Sequence, residues 1–204
     1  ADVVIVGRGD LDMIAIRQSL SLAIALGRPV TLCGALDFFS GAAGCRPLMS
    51  DIEDFITGFG LGDFSVDGGD LVFCPKAARY GTFEFNSGAY SSAVEIALLM
   101  LYPLAMCDFR SRLVLRGVTH SPLSHTTSLL KETLFELYGR AGLFASCSLR
   151  RFGMYGSGGG EMEVRVYPLE PTGADIAVRC SGAEPFGARV RFGAARRRSG
   201  RQAL

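Results

Sequence analysis

The chain has 204 residues, of which 49% are hydrophobic, and its formal net charge is +1. This length and apolar content suit one domain or a pair of small ones with a buried core. The charge gives no global electrostatic reason to expect nucleic-acid binding. The apolar run at residues 93–106 is too short to cross a bilayer and is interrupted by Glu95 and Pro103.

In the first part of the chain, apolar and polar residues alternate with the periods of a β-α-β-α-β-β unit. Strands are predicted at residues 2–6 and 29–33, and helices at 11–26 and 47–59. Residues 64–66 and 71–73 are predicted to form a hairpin around Asp67-Gly68-Gly69. The first unit is assigned to residues 1–79.

The second part repeats this order, and we assign it to residues 80–170. Strands are predicted at 82–85 and 112–116, helices at 91–105 and 122–140, and two closing strands at 144–150 and 161–167. The expected fold class is therefore α+β, with tandem β-α-β-α-β-β units whose helices pack on one face of a mixed sheet. The side chains expected in the core are Leu20, Ile24, Phe55, Ile96, Leu99 and Leu134.

Six cysteines are present, none in a CxxC pair, and no signal-peptide pattern precedes them. This pattern predicts a soluble protein in a reducing, intracellular compartment with no membrane partner. The two histidines, His120 and His125, have a spacing that suits neither a helical metal pair nor a zinc motif. We expect a capping or surface role for them, and neither a metal site nor a bound cofactor.

Arginines mark two segments that could contact RNA phosphates. Residues 189–204 contain six arginines and no acid, and Arg196, Arg197 and Arg198 are consecutive. Such a cluster can bind phosphates without reading sequence, although a solvated basic end is an equal alternative. Arg150 and Arg151 stand before a glycine cluster at residues 156–160, which is interpreted as a structural turn, with RNA-backbone contact as the alternative.

Two segments, LRGVT at residues 115–119 and RRFGMYGSGGGE at 150–161, resemble the RNA 3'-terminal phosphate cyclase family. They look closest to its cyclase-like branch of ribosome-assembly factors. The resemblance implies a family fold of three such units plus a smaller inserted domain. Residues 171–204 would then begin the insert or a third unit, and the chain would be a fragment or a shortened member.

The resemblance also implies an ATP site, whose motifs are altered in this chain. Gly9, Asp10 and Arg17 match a glycine-rich turn and a helix arginine of the family, and Arg46 and Pro47 match a second motif.

Other positions of the two motifs differ. Ile14 and Leu48 replace glutamines, Met49 replaces a histidine, and Asp37 and Ser40 stand where two phosphate-binding arginines are expected. An aspartate there would repel a phosphate. The family's histidine nucleophile belongs to the third unit, so no catalytic residue is assigned here.

From this we expect a non-catalytic cyclase-like pseudoenzyme in the nucleus and nucleolus. By resemblance it would act in ribosome biogenesis, as a scaffold for rRNA processing in the small-subunit processome. Its partners would be pre-ribosomal RNA and assembly factors, including a GTPase. Arg17, Arg46, Arg150, Arg151, Arg196, Arg197 and Arg198 are its candidate RNA- or phosphate-binding residues. The alternatives are a divergent ATP-dependent RNA 3'-terminal phosphate cyclase, and a module that binds proteins only.

Overall fold

The computed structural model of the chain describes residues 3–6, 11–122 and 124–170, together with two short strands farther along. Those strands, β9 (Ile176–Ala177) and β10 (Arg189–Val190), pair antiparallel. The rest of the predicted 171–204 segment, including Arg196, Arg197 and Arg198, lies outside the described residues. The domain boundaries given above therefore stay predictions.

The first four-stranded sheet contains β1 to β4 in the order β1-β2-β4-β3. Strand β1 (Val3–Val6) is parallel to β2 (Val30–Cys33), and the hairpin of β3 (Gly62–Asp67) and β4 (Asp70–Pro75) closes the sheet in antiparallel fashion. Helix α1 (Met13–Leu26) connects β1 to β2, and α2 (Ala35–Gly41) and α3 (Arg46–Gly58) connect β2 to β3.

The second sheet has the same topology, with the order β5-β6-β8-β7. Strand β5 (Thr82–Asn86) is parallel to β6 (Ser111–Gly117), and β8 (Gly160–Val166) lies antiparallel to both β6 and β7 (Ala145–Arg151). Helix α4 (Ala93–Ala105) connects β5 to β6. The second connection contains α5 (Thr127–Leu129), a π-helical turn (Leu130–Leu134) and α6 (Phe135–Arg140). The predicted α+β fold of tandem β-α-β-α-β-β units is confirmed.

Two elements differ from the sequence prediction. Helix α2 was not predicted, because its residues were interpreted as part of a phosphate-binding loop. The helix predicted from residue 122 begins at Thr127, since the Thr126 hydroxyl accepts a hydrogen bond from the Leu129 N–H and caps it there. Residues 118–122 and 124–126 are not helical, and they become part of the site described below.

The core lies between the two sheets, where α1 of the first unit packs on α4 of the second. Helix α4 is buried on nearly all sides because its own sheet covers one face and α1 covers another. Leu20, Ile24, Phe55, Ile96 and Leu99 are buried as predicted, and Leu134 is partly buried against the same cluster. Within the described residues, no helix is both long and apolar enough to cross a membrane.

Candidate functional site

Three loops of the second unit meet where the parallel strands β5 and β6 end. We call residues 87–92, 118–122 with 124–126, and 152–159 the loop cluster. Backbone hydrogen bonds join them: the Ala93 N–H donates to the Val118 carbonyl over 2.9 Å, and the Gly156 N–H donates to the Ala89 carbonyl over 2.8 Å. The Thr119 N–H donates to the Gly153 carbonyl over 2.8 Å. The carboxyl ends of parallel strands are a common position for ligand sites in α/β sheets.

Glycines permit this close approach of the loops. Gly117 has a φ of 136°, and a Cβ atom built on it would lie 1.9 Å from the Ser87 Oγ. A Cβ on Gly153 would lie 2.1 Å from the Gly117 carbonyl oxygen. Neither position can hold a side chain unless the loops separate. Gly117 and Gly153 therefore let the loops pack closely together. The glycine cluster itself overlaps a turn at residues 155–157, in agreement with its interpretation as a structural turn.

A buried carboxylate lies directly beneath the loop cluster. Glu95 is in the first turn of α4, which the Ser92 hydroxyl caps by accepting a hydrogen bond from the Glu95 N–H. Oε1 of Glu95 accepts the His125 N–H at 3.0 Å and lies 2.6 Å from His125 Nδ1. Oε2 lies 2.9 Å from Arg17 Nε, which is within ion-pair distance although the N–H is not aligned for a hydrogen bond.

This arrangement fixes the orientation of the imidazole ring. A carboxylate that accepts from Nδ1 favours the tautomer with its proton on that nitrogen, which leaves the Nε2 lone pair for an outside group. The His125 side chain is 22% exposed, whereas Arg17 and Glu95 are each only 5% exposed. His125 is therefore positioned to take up or donate a proton at the surface of the loop cluster.

The first unit also reaches the loop cluster through α3. Oδ2 of Asp51 accepts a hydrogen bond from the Gly88 N–H over 3.1 Å. Burial raises the pKa of Asp51, and the Gly88 hydrogen bond opposes this by stabilising the carboxylate. The first unit thus holds the loop cluster at two points, directly through Asp51 of α3 and indirectly through Arg17 of α1, which pairs with Glu95.

The predicted arginines have different environments. Arg17 is buried against Glu95, whereas Arg46 is exposed at the start of α3 and donates from Nε to the Phe39 carbonyl over 3.0 Å. Arg150 pairs with Glu161 and Glu163 across the outer face of the second sheet. Their roles as RNA or phosphate ligands stay predictions.

Arg151 is exposed at the end of β7, immediately before the loop at residues 152–159. The structure therefore places one of the predicted arginines directly beside the loop cluster.

Two positions of the first unit offer no cation to the triphosphate of ATP. Asp37 and Ser40 are exposed on α2, and the Ser40 hydroxyl donates to the Leu36 carbonyl of its own helix over 2.8 Å. Arg46 is the one arginine in the sequence from residue 30 to residue 50. No group of three or more possible metal ligands (His, Cys, Asp or Glu) is found among the described residues.

Glu95, His125 and Asp51 were missed as functional candidates in the sequence. Glu95 did carry a signal, since it is the lone acidic residue in the apolar run at 93–106 and such a residue needs a buried partner. His125 was assigned a capping or surface role because its partner is thirty positions away.

A family model described as RNA 3'-terminal phosphate cyclase matches residues 54–181, more than half of the chain. A protein named RNA 3'-terminal phosphate cyclase from Trichormus variabilis is 28% identical over 165 residues, covering 74% of this chain and 46% of that protein. Proteins of the same name from Ignicoccus hospitalis and Ectopseudomonas mendocina are 34% and 33% identical over 102 and 98 residues. These two matches cover 50% and 48% of this chain, and 29% of each relative.

The chain belongs to the RNA 3'-terminal phosphate cyclase family, and it spans about half or less of the length of these relatives. The expectation of a non-catalytic factor in ribosome biogenesis is wrong, because the relatives are named as the cyclase itself. The expectation that the protein is not an enzyme fails for the same reason. The comparisons do not distinguish the cyclase-like branch, and the nucleolar location and pre-ribosomal partners stay predictions.

Proposed function

We propose that this chain is part of an RNA 3'-terminal phosphate cyclase, which closes a 3'-phosphate at an RNA end into a cyclic phosphate. The observation that carries the proposal is the alignment to proteins of that name over 74% of the chain. The residues that the family model matches, 54–181, begin within α3 and include all three loops of the loop cluster. The activity is proposed for the whole protein to which the chain belongs.

Ring closure sets two chemical requirements for the site. The neighbouring 2'-hydroxyl oxygen bonds to phosphorus while one oxygen substituent leaves phosphorus, and the hydroxyl proton passes to a base. The leaving oxygen needs activation, which the family resemblance assigns to ATP. A base that is held within reach of the hydroxyl is needed to accept its proton.

His125 can serve as the base that accepts this proton. Its Nδ1 is occupied by Glu95 over 2.6 Å, so Nε2 is the nitrogen that can accept the 2'-hydroxyl proton. Protonation at Nε2 creates an imidazolium beside a carboxylate, which stabilises the new charge. Arg17 balances the charge of Glu95 from the other side at 2.9 Å. The three residues thus give the loop cluster a proton acceptor that is held in one orientation.

The proposal is tested on a short RNA with a 3'-phosphate, incubated with the protein, ATP and magnesium. The expected product is lighter by one water and resists removal of its phosphate by a phosphomonoesterase. A matched RNA whose last sugar lacks the 2'-hydroxyl should remain unchanged, because no ring can close. A parent protein that leaves both RNAs unchanged would overturn the proposed function.

A further inference from the structure

Large side chains are exposed together on the loop cluster. Tyr90 comes from the first loop, the half-buried His120 from the second, and Phe152, Met154 and Tyr155 from the third. We call these five residues the aromatic edge. The Phe152 side chain is 67% exposed and Tyr90 is 55% exposed, although a folded chain normally buries such rings.

The rings of the aromatic edge are arranged in two pairs. Tyr90 and Tyr155 have ring centroids 5.4 Å apart at an interplanar angle of 80°, and His120 and Phe152 lie 4.8 Å apart at 47°. Each pair joins two different loops, so their relative positions depend on the loop cluster as a whole. The exposed fractions of Phe152 and Tyr90 leave ring surface that a flat ligand can cover.

The backbone beneath these rings is held by hydrogen bonds. The His120 N–H donates to the Gly153 carbonyl over 3.0 Å, and the Gly153 N–H donates to the Thr119 hydroxyl oxygen over 3.0 Å. The Tyr155 N–H donates to the His120 carbonyl over 3.3 Å. Side chains on such a support need little ordering when a ligand binds, which favours affinity.

The charges beside the aromatic edge suit an anionic ligand. Arg151 is exposed directly before Phe152, whereas Arg150 is already paired with Glu161 and Glu163. A flat ring surface next to arginines is the usual combination for single-stranded nucleic acid, because bases stack on the rings while cations contact the phosphates. A protein partner would also use apolar side chains, but it has no need of an exposed arginine beside the rings.

We infer that the aromatic edge is a stacking platform for the last bases of a single-stranded RNA, which it holds so that the 3' end enters the loop cluster. The inference rests on the proposed function, which identifies the bound RNA end as a 3' end with a phosphate. The second loop supplies both His120 of the platform and His125, which are five positions apart in the sequence. The platform accepts any base, because stacking reads the flat face and not the pairing edge.

Binding of two labelled RNAs with 3'-phosphates tests the inference, one with normal terminal bases and one with abasic sugars at the same positions. The parent should bind the first RNA about tenfold more tightly than the second. The double variant Phe152→Leu with Tyr90→Leu keeps apolar bulk but removes the rings, so it should lose this preference. Phe152→Tyr should retain it, and thermal unfolding should show that all variants are folded.

Tyr80 and Phe109 provide a matched control. They form another exposed ring pair, with centroids 4.8 Å apart, at the opposite end of strands β5 and β6. Their exposed fractions, 55% and 59%, are similar to those of the aromatic edge. Tyr80→Leu with Phe109→Leu should leave the preference for the normal RNA unchanged.

The inference is overturned if the parent shows no preference or does not bind RNA, or if the double variant at the aromatic edge keeps the preference. Cyclisation of the same RNAs is measured in parallel, because it shows whether the stacking platform or the proposed function is wrong. A parent that cyclises RNA without a base preference overturns the platform alone. A parent that shows the ring-dependent preference but never cyclises supports the platform and overturns the proposed function.

Discussion

Arg17 of the first unit and Glu95 of the second form an ion pair across the packed helices α1 and α4. Nε of Arg17 lies 2.9 Å from Oε2 of Glu95, and both side chains are almost fully removed from solvent. Charges are costly to bury unless they are paired, so this pair constrains how the two units fit together. The same carboxylate holds His125, which links the unit boundary to the proposed chemistry.

Removal of the Arg17 guanidinium should destabilise the protein strongly. Arg17→Met leaves Glu95 buried without its cation, which typically costs about 3–5 kcal/mol of the free energy of unfolding. Lys76→Met breaks the exposed pair between Lys76 and Asp63, so it should cost less than about 1 kcal/mol. Urea unfolding measures both values. Equal losses in the two variants would show that the buried pair has no special role.

Replacement of His125 should slow catalysis more than it weakens RNA binding. His125→Asn retains a polar side chain but cannot accept the proton, so we expect kcat to fall by about 100-fold or more with little change in KM. His120→Asn should instead raise KM, because it alters the stacking platform. Steady-state cyclisation kinetics separate the two effects. An unchanged kcat in His125→Asn would exclude this histidine as the proton acceptor.

Glu163 should make the stability of the protein depend on pH in the acidic range. A hydrogen bond from Arg112, assisted by Arg165, lowers the pKa of Glu163 from 4.5 to about 2 in the folded protein. The unfolded chain therefore binds a proton at a higher pH than the folded chain does. The stabilisation is complete above pH 4.5 and is lost as the pH falls towards about 2.

Thermal unfolding of the parent and of Glu163→Gln from neutral pH to pH 2 measures this effect. The parent should be more stable at neutral pH, and the two should converge as the pH falls through the acidic range. Glu84→Gln is the control, since Glu84 is an exposed residue paired with Arg116 at 3.5 Å. A difference between parent and Glu163→Gln that stays constant down to the lowest pH would contradict the assignment.

Arginines at positions 37 and 40 should strengthen the binding of ATP. Asp37 repels a triphosphate and Ser40 bonds to its own helix, so Asp37→Arg with Ser40→Arg should lower the KM for ATP by about tenfold. Asp108→Arg is the control just after α4: it makes the same charge change as Asp37→Arg alone, and it should have little effect. If both variants lower the KM equally, the gain is a general charge effect and not a local phosphate contact.

Much of the fold could be predicted from the sequence, because its periodicity is local. The apolar spacing in α1 and α4 and the turn at Asp67-Gly68-Gly69 each reflect neighbours along the chain. Helix α2 was not predicted, because its residues match a family motif and were therefore interpreted as a phosphate-binding loop.

The site was less predictable because its contacts depend on tertiary packing. Arg17 was matched to a phosphate ligand, and nothing near it in sequence indicates that Glu95 lies opposite. The aromatic edge likewise assembles from three loops whose residues are far apart in the chain. Only Glu95 left a sequence signal, as a lone acid in an apolar helix.

Photo-crosslinking tests most directly whether the loop cluster holds the RNA end. A 3'-phosphorylated RNA with a photoreactive uridine as its last base is irradiated with the protein, and mass spectrometry locates the adducts. We predict adducts on Tyr90, Phe152 or Tyr155, and their loss when the same RNA without the photoreactive group is added in excess. Adducts that fall mainly on Tyr80 and Phe109, or that spread without preference over the surface, would contradict this position of the RNA end.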